Sequence, residues 1–108
     1  MLLERTELLI KPGQEDEFAA LFGGRGIQLL TPVPGVVSAT LGRGVENPNK
    51  FLLLIEWQTL DAHRAYNQTP VCNEIRALIA PFAQGASMEH FEMSAFPKSS
   101  KTCSNSAR

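Results

Sequence analysis

The residues best suited to chemistry in this chain crowd into one short run, "EWQTLDAHRAYNQTP" at 56–70. Trp57 closes an apolar stretch, and His63, one of two histidines, follows six residues later with Arg64, Tyr66 and Asn67 close behind. An imidazole exchanges protons near neutral pH, and aromatic rings stack on planar ligands. The same run also reads as a strand ending where a helix begins. Thr59 can cap a short helix over 60–68, and Thr69 followed by Pro70 provides a second cap with a proline at the first helical position.

Those residues need elements to position them. Residues 3–10, "LERTELLI", are strand-like and stop at the turn signal "KPG", after which Glu15, Asp16 and Glu17 suit the positive end of a helix that carries Phe18, Leu21 and Phe22 on one face. The "GGRG" at 23–26 lacks the Lys-Ser/Thr ending and preceding strand of a phosphate loop, and reads as that helix loosening near its end. Two further strand-like runs, 36–43 and 51–57, are joined by the turn-rich "GVENPN". A helix from Pro70 to about residue 80 shows Val71, Ile75, Leu78 and Ile79 at helical spacing, Pro81 marks its stop, and 87–94 is a final strand. The expected order is β-α-β-β-α-β with the second α split in two, an α+β ferredoxin-like domain with a four-stranded antiparallel sheet over residues 1–96. Residues 97–108 have no large apolar side chain, which predicts a disordered polar tail.

Composition excludes several roles. With a formal net charge of −1 and no long run of like charges, the chain has no polyelectrolyte surface, and nucleic acid is not an expected partner. Glu4, Arg5 and Glu7 interrupt the apolar N-terminus, so neither a signal peptide nor a membrane span is expected and the protein is placed in the cytoplasm. Cys72 and Cys103 have no metal or disulfide spacing and read as free thiols.

The third strand carries a further implication. Phe51 to Ile55 are apolar on both faces of the strand, whereas the helices of this element order cross to one face only. A second copy packing sheet on sheet would cover the other face, through either Phe51, Leu53 and Ile55 or Leu52 and Leu54. A homodimer is expected.

The run "PG…VENPNKFLLLIEWQTLDAHRAYNQTPVCNEIRALIAPF" resembles the antibiotic biosynthesis monooxygenase domain of the dimeric α+β barrel superfamily, over about residues 3 to 94. Its most specific part is the Glu-Trp closing the third strand, His63 six residues on, and the Thr-Pro opening the next helix. The resemblance implies two sheets forming a dimeric barrel and admits several activities. For the haem-degrading branch the corresponding positions are Thr6, Tyr66 and Arg76, and an arginine has no lone pair with which to ligate iron. The anthrone oxygenases are similar at Trp57 and Arg76, with His63 where a tyrosine stands and Leu53 in place of an asparagine.

Such a resemblance implies a cofactor-independent monooxygenase acting with O2 on an electron-rich aromatic such as a quinol, naphthol or anthrone. A deprotonated phenol can reduce oxygen without flavin or metal, given a base, a cation and a dry pocket. His63 would be the base, Arg76 the cation for the phenolate, Trp57 and Tyr66 the stacking rings and Asn67 a group orienting a carbonyl. No metal and no cofactor are expected. Each residue has a plainer role: Trp57 as core filling, His63 as helix packing, Arg76 as an ion-pair partner of Glu74 or another acid, and His90 as a packed or paired structural histidine. The alternative function is a non-catalytic small-ligand-binding barrel, with haem degradation and action on a small signalling molecule as remoter readings.

Overall fold

A computed structural model describes residues 1–94. The tail expected over 97–108 and Cys103 lie outside the described residues. Alternation along the first strand sets the architecture. In β1 (Leu2–Ile10) every even position is buried, so Leu2, Leu8 and Ile10 share one face with Glu4 and Thr6. The helices cover that face.

Three other strands complete one antiparallel sheet in the order β2 (Val36–Arg43), β3 (Lys50–Trp57), β1, β4 (Ala83–Glu92). β1 is thus central, with Glu4 opposite Ile55 on one side and His90 on the other. β3 buries Phe51, Leu53, Ile55 and Trp57 beneath the helices and turns Leu52 and Leu54 to the open face. The two-sided apolar strand is therefore explained on its helix side by the core of this chain. Leu52 and Leu54 remain on a face that also presents Leu3 and the exposed Phe91.

The helix layer follows the expected order, with two differences. α1 (Glu15–Leu21) opens with its three acids and does not end at the glycines. It widens into a π-helical turn, Phe22–Gly26, and resumes as α2 (Ile27–Leu30). A Cβ at Gly26 would lie 2.6 Å from the Phe22 ring, so the glycine makes room for a fully buried side chain that stacks on Phe18 at 5.5 Å. Phe51 meets Phe18 edge-on at 5.0 Å, and this aromatic group fills the space between helix and sheet. The second difference is β4, which begins at Ala83 rather than 87 and stops at Glu92. Lys11 donates its backbone N–H to Phe82 O, so pairing starts at once after Pro81, and a register shift at Leu9/Ile10 absorbs the irregularity.

The split helix is present as α3 (Leu60–Tyr66) and α4 (Pro70–Ile79). Thr59 Oγ1 accepts from Ala62 N at 3.1 Å, and Thr69 Oγ1 accepts from Cys72 N at 3.3 Å. Both caps satisfy amides that would otherwise lack partners. Gly35, at φ +88°, lets β2 start directly against α3, because any Cβ there would collide with the Ala62 methyl. No helix among the described residues is long and apolar enough to cross a membrane.

Candidate functional site

Glu4 anchors the site from the middle of β1. Its carboxylate is buried on the helix side of the sheet, where an unpaired charge would be costly, and three groups meet it. Trp57 Nε1 donates to Oε1 at 3.0 Å and Thr6 Oγ1 donates to Oε2 at 3.3 Å. His63 Nε2 lies 3.3 Å from Oε1.

The middle of the short helix α3 delivers His63 to that carboxylate. Its ring stands edge-on to the Trp57 indole at 5.3 Å and 4.4 Å from the His90 ring. His90 reaches the same point from β4 through its cross-strand position opposite Glu4, and the two Nε2 atoms are 3.3 Å apart. His90 Nε2 is also 3.9 Å from Glu4 Oε1. Burial holds the His63 imidazole below its ordinary range; Glu4 partly offsets this, while His90 and Arg64 add to it. His63 is accordingly held as a neutral imidazole, an acceptor of protons, near neutral pH.

Beside this group lies a small open-mouthed cavity of about 80 Å³. Leu53, Ile55, Ile75 and Ile79 form its apolar walls, and Glu4, Thr6, His63, Tyr66, Asn67 and Arg76 supply its polar groups. Tyr66 is buried, which pushes its phenol above the ordinary range, with the adjacent Cys72 adding to the shift, so it stays protonated as a donor. Cys72 is a buried free thiol in the same wall. Asn67 ends α3 at the mouth. Arg76 is exposed, and among the described residues no acid pairs with it, since Glu74 is taken by Arg25 at 3.3 Å.

The structure thus brings four of the five expected residues, His63, Arg76, Tyr66 and Asn67, to one cavity. Trp57 stands behind it. Its ring is fully buried and outside the lining, against His63 and Tyr66 at 5.3 Å each, and its N–H is spent on Glu4. The three positions relevant to haem, Thr6, Tyr66 and Arg76, also line the cavity.

Sequence reasoning missed Glu4 altogether and left His90 as a structural residue. A signal for Glu4 exists: it shares strand parity with Leu2, Leu8 and Ile10, which places a carboxylate on a face that is otherwise apolar. His90 offers no comparable signal, because its meeting with Glu4 depends on the register between the two ends of the chain.

Comparison with known proteins gives a consistent result. The profile of the antibiotic biosynthesis monooxygenase family matches residues 1–78, a span that holds Glu4, Trp57, His63 and Arg76 and stops before β4. The uncharacterized protein YczJ of Bacillus subtilis is 31% identical over 94 residues, covering 85% of this chain and 98% of that protein. The crystal structure of a putative antibiotic biosynthesis monooxygenase from Bordetella bronchiseptica is similar with a TM-score of 0.77 at 26% identity, covering 87% of this chain and 97% of that one. A protein of the same description from Deinococcus radiodurans gives a TM-score of 0.75 at 17% identity over 91% of this chain and 97% of its own, and supports the fold alone.

Proposed function

Because the chain belongs to the antibiotic biosynthesis monooxygenase family, we propose that it is a cofactor-independent monooxygenase that oxidises an electron-rich quinol, naphthol or anthrone-like aromatic with O2. The observation that carries this reading is the convergence of neutral His63, Tyr66, Asn67 and Arg76 on one apolar-walled cavity. His63 takes the phenolic proton, and Glu4 across from it stabilises the resulting imidazolium. Arg76 at the mouth stabilises the phenolate, Tyr66 packs against the ring and Asn67 orients a carbonyl. The phenolate then passes an electron to O2 and the two radicals combine. In an anthrone-like substrate the reacting carbon exchanges two hydrogens for one oxygen atom, and the second oxygen leaves as water.

A binding module would tolerate His63 pointing to solvent; its place in the cavity wall favours catalysis. We also propose that a second copy covers the open sheet face carrying Leu52, Leu54 and Phe91, completing a dimeric barrel, and that the protein acts in the cytoplasm. Oxygen uptake with a panel of hydroquinones, naphthols and anthrones, compared with anaerobic incubation, tests the activity. Substrate-dependent uptake that persists after chelation is the expected result. Tight binding of these aromatics without any uptake would leave the ligand-binding barrel instead.

A further inference from the structure

Glu4 Oε1, His63 Nε2 and His90 Nε2 form a triangle with sides of 3.3, 3.3 and 3.9 Å. A hydrogen bond between the two imidazoles needs an N–H on one Nε2 and a lone pair on the other, so a single proton inside the triangle serves several acceptors. A cation satisfies all three. A point equidistant from the three atoms lies about 2 Å from each, the bond length of zinc to imidazole nitrogen and carboxylate oxygen. We propose that these three side chains form a binding site for one divalent transition-metal cation of the zinc type.

The surroundings fit that role. Trp57 and Thr6 donate to the Glu4 carboxylate and fix its orientation, as partners of a ligating carboxylate do. Glu4 and His90 are held opposite each other by the β1–β4 ladder, and His63 rides on a helix capped by Thr59, so little ordering remains for binding to impose. The His90 side chain is 29% exposed and gives the ion a way in, while the cavity lined by Glu4 and His63 admits a fourth ligand. Two imidazoles and one carboxylate suit zinc or cobalt; magnesium and calcium take oxygen ligands. The ion would occupy the lone pair with which His63 accepts the substrate proton. Metal and proton therefore compete, and zinc switches the oxygenase off; this consequence rests on the proposed function, whereas the site does not.

Chelator-stripped protein titrated with Zn²⁺ by calorimetry, and with Co²⁺ by visible absorption, tests the site. One ion per chain is expected, with the intense visible bands of four- or five-coordinate cobalt. His90→Ala should weaken binding by more than about 100-fold, beyond the loss typical of an outer partner, and Thr6→Val by about 10-fold. Binding well below one ion per chain, a near-ultraviolet thiolate band, or His90→Ala binding as tightly as the parent would overturn the assignment. Oxygen uptake supplies the second arm: zinc should stop the parent and leave His90→Ala indifferent. Zinc that binds without slowing uptake overturns the competition. No uptake in any metal-free sample refutes the proposed function, while stoichiometry still decides the site.

Discussion

Replacing Trp57 by Phe separates two roles for the one tryptophan of the chain. The indole N–H sits 3.0 Å from Glu4 Oε1, and the ring is fully buried. Phenylalanine keeps an aromatic ring and removes the donor, leaving the buried carboxylate one partner short. A lost hydrogen bond to a charged group costs about 1.5–3 kcal/mol. The smaller ring leaves a gap costing about 1–2 kcal/mol more. The expected loss is about 2.5–5 kcal/mol, a large share of the roughly 5–15 kcal/mol that holds a domain together. Urea denaturation followed by far-ultraviolet circular dichroism at fixed protein concentration measures it, since the variant has no tryptophan to report by fluorescence. With a slope near 2 kcal/mol/M, the midpoint should fall by about 2 M. Turnover should fall as well, because Glu4 no longer holds His63 in one place. A loss below about 1 kcal/mol with kcat unchanged would refute this account and favour a ring that stacks on substrate, a task phenylalanine can do.

His63→Ala should lower oxygen uptake by about 10²–10⁴-fold with an unaltered circular dichroism spectrum; uptake at the parental rate would remove His63 as the base. Gly35→Ala should cost at least about 2 kcal/mol, combining a left-handed backbone with a collision against Ala62, and should disturb α3 and hence turnover. Gly13→Ala has the same φ of +88° and open space around it, so its smaller loss of about 1–2 kcal/mol in thermal or urea melts provides the control. Leu54→Asp on the open face should shift the light-scattering mass to the 11.8 kDa monomer; a parent already at that mass would refute the dimer.

Local signals in the sequence were reliable where local physics decides. Thr59 and Thr69 cap helices because their hydroxyls reach amides three residues on, and Pro81 stops α4 as a residue without an N–H should. The third strand was read correctly as apolar on both sides, but whether Phe51 or Leu52 faces the helices depends on pairing with β1, which the strand's own composition does not fix. The glycines at 23–26 read as a helix loosening near its end, and the loosening is there as a π-helical turn; that the helix resumes beyond it, with Gly26 giving room to the Phe22 ring, is a matter of packing. The site divided along the same line. His63, Tyr66 and Asn67 crowd into one short run and stand out by their spacing, and Arg76 on the next helix is pointed to by the family resemblance, whereas Glu4 and His90 meet only when β4 zips onto β1.

The strand order has a consequence for how the chain comes off the ribosome. β1 is made first, yet it is the central strand, and its two partners come much later, β3 from Lys50 and β4 only from Ala83. Its contacts are therefore non-local, which favours slow folding. Until β4 emerges, β1 has one open edge, and that edge carries apolar residues able to pair with another nascent chain. The last strand to arrive closes the edge and, in the same motion, brings His90 to Glu4. Nascent chains halted before residue 83 would keep the edge open and lack the second imidazole, so resistance to aggregation and completion of the site are acquired together.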